Sequence, residues 1–147
     1  MINRLTGFLI SVLGTYLLAV ILVSQFNIAR VADLGHPVAV DDRLSTTLHD
    51  LLGMLSSYFP LIAIALLLAF LFTGLVLLRM VNASVMLYAL AGFVGILAMH
   101  LILNAVFEIH AVAPTRSLPG LLSQAVAGAI GGILYFRLVV SKTTSAA

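Results

Sequence analysis

The sequence predicts an all-α fold: an integral membrane four-helix bundle with both termini on the cytoplasmic side. Three observations predict it. First, 63% of the 147 residues are hydrophobic and only 8% are charged, against about 45–50% and 25% in a soluble domain. Seven Lys and Arg with five Asp and Glu cannot cover a globule of this length. Second, the charges leave four long gaps. Leu5–Ala29, Leu51–Leu78, Met80–Phe107 and Ser117–Phe136 contain no Asp, Glu, Lys or Arg. Each gap is long enough for a helix to cross a hydrocarbon core of about 30 Å, which takes about 20 apolar residues. Third, runs such as LIAIALLLAFLF do not alternate apolar with polar residues. Backbone groups in lipid must be bonded internally, so a span is a helix or a barrel strand, and a strand would alternate.

The composition excludes other classes. The net charge of +2 is too small for a phosphate-binding patch, so no nucleic-acid partner is expected. The chain has no cysteine, hence no disulfide, no thiolate metal site and no cysteine nucleophile. The partners expected are the lipid bilayer and a second membrane protein, either this chain itself or another. No cofactor is predicted.

The chain reads as one transmembrane domain over 1–147. Its helices are expected at 5–26, 47–78, 84–108 and 118–140, with an outer loop at 27–46. Helix 1 follows the basic start MINR. Its apolar run reaches Phe26 without a small-x-small cleavage site, so it reads as a retained anchor rather than a cleaved signal. The outer loop carries the breakers Gly35 and Pro37. Thr47 and Asp50 have capping spacing, which starts helix 2. Pro60 lies inside that pattern. The favoured reading is one long helix kinked at Pro60, in preference to an amphipathic stretch Leu48 to Tyr58 ahead of a separate span. Asn82 or Ser84 caps helix 3. Ser117 with Pro119 starts helix 4: a hydroxyl cap, then a proline where its missing amide costs nothing. The polar tail SKTTSAA closes the chain.

Orientation follows from Lys and Arg in the short loops. With the termini inside a cell (inner) membrane, the cytoplasmic side holds Arg4, Arg79, Arg137 and Lys142 and no acid. The outer side holds Arg30, Arg43 and Arg116 with all five acids. The inner cations read as headgroup anchors, and Tyr135 as an interfacial aromatic.

Lipid offers no hydrophobic gain for helix association, so helices pack through small residues. Gly7, Ser11 and Gly14 share a face of helix 1. Gly128 and Gly132 form a G-x-x-x-G pair on helix 4, read as packing within the bundle ahead of a dimer seam. On helix 3, Ser84, Tyr88, Ala91 and Gly95 lie on one side, while His100, Asn104 and Glu108 lie on another. Two sides needing protein or water favour a homo-oligomer or larger complex.

The residues closest to chemistry are His100, Asn104 and Glu108, spaced at i, i+4 and i+8. Polar groups within a span are expensive unless paired. One reading is a register-fixing hydrogen bond from His100 and Asn104 to Gln124 or another helix. The other is a proton or ion path opening outward, since histidine titrates near neutral pH. A separate outer-face cluster of His49, Asp50 and His110, with His36 and Glu108, has the donor types for a metal but no ligand spacing. No metal site is therefore predicted from it. In length and helix count the chain is similar to small multidrug-resistance transporters. Helix 1 lacks the glutamate that family requires there.

These residues order three functions. The first is a non-catalytic membrane subunit or oligomeric component. The second is a small transporter or channel lined by helix 3. The third is a membrane enzyme with an outer-face metal. No catalytic set is identified.

Overall fold

The computed structural model describes residues 3–36, 38–79 and 81–141. The tail beyond Ser141, Lys142 included, lies outside the described residues. The described residues form helices and connections, with no strand. The helices are α1 (Arg4–Asp33), α2 (Val40–Gly53), α3 (Tyr58–Leu75), α4 (Val85–Phe107) and α5 (Leu118–Tyr135). Short 3-10 turns occupy Leu77–Arg79 and Ala113–Arg116, and a π-helical turn, Phe136–Val140, extends α5. Among the described residues, four segments are long and apolar enough to cross a membrane: Arg4–Asp33, Tyr58–Leu75, Val85–Phe107 and Leu118–Val140.

The starts of α1, α4 and α5 have a local cause. Asn3 accepts from the Thr6 amide, Ser84 from the Leu87 amide and Ser117 from the Gly120 amide. Each cap satisfies one of the free amides of a first turn. α4 ends where Glu108 adopts a left-handed conformation, φ 55°. The Ile109 amide then bonds the Leu103 carbonyl and the Glu108 amide bonds that of Asn104. The Glu108 to Asn104 bond is the αL closure of a helix end, usually made with glycine.

The segment between the first and second spans differs from the sequence expectation. α1 continues through 27–33 instead of giving way to a loop. At about 1.5 Å per residue its 30 residues reach about 45 Å. Nothing in Asn27–Asp33 breaks a helix, and the turn falls at Gly35, whose φ is +88°. The amphipathic α2 then begins at Val40 rather than at Thr47, with Asp41 and Asp42 in its first turn. Negative charge there favours the helix dipole. The long kinked helix over 47–78 is replaced by two helices, broken at 54–57. Proline has no amide and its ring crowds the carbonyl four residues back. Pro60 therefore sits in the first turn of α3, where no amide partner is needed.

α5 is central. It packs most extensively on α4 and next on α1, while α3 closes the ring against α4 and α1. The α4–α5 seam is close because glycines line it. A Cβ at Gly92 would overlap the Gly128 carbonyl, a Cβ at Gly128 the Gly92 carbonyl, and one at Gly132 the Tyr88 carbonyl. Gly95 brings α4 to α3, where an added Cβ would meet Ala69 Cβ at 2.8 Å. On α1, Gly7 and Ser11 are buried and Gly14 faces Leu134 of α5. The buried core threads between the helices through Val12, Tyr16, Val20, Ile62, Leu66 and Ile96. α2 buries no residue and leans on α1. Thr47 Oγ lies 3.0 Å from Ser24 Oγ, and the Tyr16 hydroxyl donates to the Leu51 carbonyl.

Candidate functional site

Among the described residues, buried polar side chains from three helices meet toward the end that carries α2. Tyr58 opens α3, His100 lies in α4 seven residues before its last, and Gln124 lies in α5. All three are buried, with Gln124 fully enclosed. The Tyr58 hydroxyl lies 3.0 Å from His100 Nε2 and 2.8 Å from Gln124 Oε1. Gln124 Nε2 reaches the Ala19 carbonyl of α1 and Ser123 Oγ, each at 3.4 Å. One residue from each of three helices thus meets the backbone of the fourth.

The proton order follows from donor and acceptor types. The Gln124 amide must donate from Nε2 to the Ala19 carbonyl, which can only accept. Its Oε1 then faces Tyr58 and takes the single phenolic proton. The Tyr58 oxygen is left as acceptor, so His100 donates from Nε2. His100 is the neutral Nε2–H tautomer, and Nδ1 carries a lone pair. Nδ1 is buried with no hydrogen-bond partner. A second proton placed there would have no acceptor. The chain runs His100 to Tyr58 to Gln124 to Ala19 and stops at a main-chain carbonyl. It can fix helix register, and among the described residues it ends there.

The sequence stripe does not form a ladder. His100 is 4% exposed, whereas Asn104 and Glu108 are exposed on the outside of the bundle. Glu108 leaves the helical face because the left-handed turn at its own Cα redirects the chain. Asn104 makes no side-chain hydrogen bond among the described residues. His100 does reach Gln124, through Tyr58 rather than directly. Tyr58 itself was not singled out in the sequence: a tyrosine near a span end reads as an interfacial anchor. Its place two residues ahead of Pro60, at the end of the amphipathic stretch Leu48 to Tyr58, was the available signal.

The outer-face residues stay apart. His49 and Asp50 lie on α2, and His110 follows α4. Among the described residues no group of three His, Asp or Glu comes together where it could hold a metal ion. Of the glycines singled out in the sequence, Gly14 and Gly95 lie on helix contacts, and Gly128 and Gly132 face α4 within the bundle.

Two concavities flank the bundle. The larger, of about 550 Å³, runs between α3 and α4, with Ala65, Ala69, Ala91 and Gly95 along it and Leu68 and Leu90 on its rims. The other, of about 440 Å³, lies at the opposite end from the His100 cluster, against Arg4, Tyr88 and Tyr135. Compared with protein-family models, with curated proteins and with solved structures, the chain matches none.

Proposed function

We propose that this chain is a non-catalytic, multi-pass component of a cell (inner) membrane, working by assembly with a second copy of itself. The observation that carries the reading is the groove between α3 and α4. It follows both helices, from Leu61 to Leu77 and from Leu87 to Leu103, and small residues line its length. Helix association in lipid depends on van der Waals contact at small residues, since the apolar effect gives nothing there. A groove between two helices, small along its bottom and bulky on its rims, accepts the ridge of a third. Most soluble and membrane assemblies of one chain are symmetric, and a second copy supplies such a helix without another gene product.

The closed hydrogen-bond chain at His100 supports a structural role for the polar stripe. It weighs against the transporter reading, because the stripe has no continuation from His100 to Asn104 and Glu108. Among the described residues, the separation of His49, Asp50 and His110 lends the metal-enzyme reading no support.

The test is the mass of the purified chain in a mild detergent. The expected result is a discrete oligomer that Ala98→Phe, which fills the groove, converts to monomer with unchanged melting temperature. A strictly monomeric wild type, free of partners, overturns the reading. The orientation follows the weak excess of basic residues at the Arg4 end. The chain has no cysteine, so single cysteines at Asn3 and Ser45 test it cleanly. A membrane-impermeant maleimide should label Ser45→Cys and spare Asn3→Cys in intact cells.

A further inference from the structure

The concavity at the Arg4 end is built differently from the rest of the bundle. It is enclosed by the start of α1, the end of α3, the start of α4 and the end of α5. Phe70, Leu71, Leu75 and Leu78 supply an apolar wall, and Arg4, Tyr88 and Tyr135 bring polar tips. The aromatic rings hold one another in place. Phe70 stacks on Tyr135 at 4.6 Å between centroids, and Tyr88 lies 5.7 Å from Tyr135. Phe8 meets Phe70 and Tyr135 edge-on at 6.4 and 6.5 Å. These contacts fix the directions of both phenols.

The polar tips are unspent. Tyr88 is 3% exposed and lines this cavity, yet its hydroxyl makes no hydrogen bond to any described residue. Nor is its oxygen sealed off, since His100 Nδ1 is the buried side-chain atom left without a partner. The Tyr88 hydroxyl therefore opens into the cavity. Tyr135 is in the same position, half-buried. Arg4 forms no ion pair among the described residues and lines the same cavity as both phenols. A buried phenol usually finds a partner. Here two phenols and a guanidinium are directed at one unfilled space, and all three are donors. A group accepting from all of them carries oxygen and negative charge. Arg79 and Arg137 belong to the same end, where no acid lies among the described residues. The π-helical turn Phe136–Val140 shapes the rim, with Val139 and Val140 in the wall. Such turns often occur at functional sites.

We propose that this cavity is a binding site for the phosphate headgroup of an anionic phospholipid, held by Arg4, Tyr88 and Tyr135. The lipid tail runs along the apolar wall of Phe70, Leu71, Leu75 and Leu78, where a soluble phosphate would leave the wall uncovered. Arginine pairs with phosphate through a charged, bidentate contact, about twice as strong as a neutral hydrogen bond. The site is independent of the assembly reading, since Arg4 lies off the α3–α4 groove.

Native mass spectrometry of the full chain in neutral detergent tests the proposal, with phosphatidylglycerol and phosphatidylcholine offered in equal amounts. The wild type should retain phosphatidylglycerol preferentially. Arg4→Gln should reduce that retention about tenfold and Tyr88→Phe several-fold, each losing a hydrogen bond to a charged group. Gly74→Phe should block it as well. An added Cβ at Gly74 meets nothing within 4 Å, so the new ring fills the cavity without moving the backbone. Phosphatidylcholine adducts and the oligomeric state should not change in any variant. Equal retention of the two lipids, or unchanged retention in Arg4→Gln and Gly74→Phe, overturns the proposal. So does displacement of phosphatidylglycerol by millimolar inorganic phosphate, which would mark a site for soluble phosphate.

Discussion

Two tyrosines divide the molecule. Tyr58 and Tyr88 are 2% and 3% exposed, and both lie between α3, α4 and α5. The Tyr58 hydroxyl accepts from His100 and donates to Gln124, so its capacity is used within the chain. The Tyr88 hydroxyl uses none of its capacity on described residues and faces a cavity. Burial alone does not separate them. The destination of the phenolic proton does. A polar group that is satisfied inside the bundle belongs to its stability. One that is enclosed but unsatisfied is available to something outside the chain. Histidine, the residue the sequence singled out, belongs to the closed site, and two tyrosines with ordinary interfacial positions build the open one.

The comparison is broken most severely by removing the seam on which both sites depend. Gly128 lies one turn from Gln124 and two turns from Tyr135, and its Cα hydrogen faces the Gly92 carbonyl. Gly128→Val should force α4 and α5 apart at a cost of about 3 kcal/mol or more. Melting temperature and lipid retention should fall together. A variant that keeps both would show that the seam is not what holds the two ends.

Next in size is Tyr58→Phe. It strands the His100 Nε2–H and the Gln124 carbonyl oxygen in the core. Each buried unpaired group costs about 1–3 kcal/mol, so the loss should be about 2–4 kcal/mol by reversible unfolding in detergent. His100→Phe should cost less than Tyr58→Phe. It removes the orphan Nδ1 along with the donor and leaves Tyr58 bonded to Gln124. A reversed order would contradict the proton assignment.

The smallest effect is expected at Asn104. Its side chain is exposed and has no hydrogen bond among the described residues, so Asn104→Leu should move stability within about 0.5 kcal/mol. A large loss there would restore the stripe as one connected unit with His100.

The spans were legible because charges mark their ends. Arg4, Asp50, Arg79, Glu108, Arg116 and Arg137 bracket the apolar runs. The Ser84 and Ser117 caps were legible too, since a hydroxyl ahead of an apolar run has one local use. The break at 54–57 was not. Proline fits a kink or a first turn equally well in the sequence, and what selects the first turn is tertiary: Tyr58 placed against His100, and the Tyr16 hydroxyl on the Leu51 carbonyl. Gly92 was passed over because the small stripe was traced through Ala91 and Gly95. Its role appears only once Gly128 lies opposite. The cavity at the Arg4 end was invisible for a similar reason. Arg4, Tyr88 and Tyr135 are far apart in the chain, and each has an ordinary interfacial explanation by itself.

The account rests on the difference between the two phenols. Tyr58→Phe and Tyr88→Phe, purified free of lipid in the same detergent, test it most directly through their unfolding free energies. The account predicts a loss of about 2–4 kcal/mol for Tyr58→Phe and a change within about 0.5 kcal/mol for Tyr88→Phe. Equal losses in the two variants, or a larger loss for Tyr88→Phe, would contradict it.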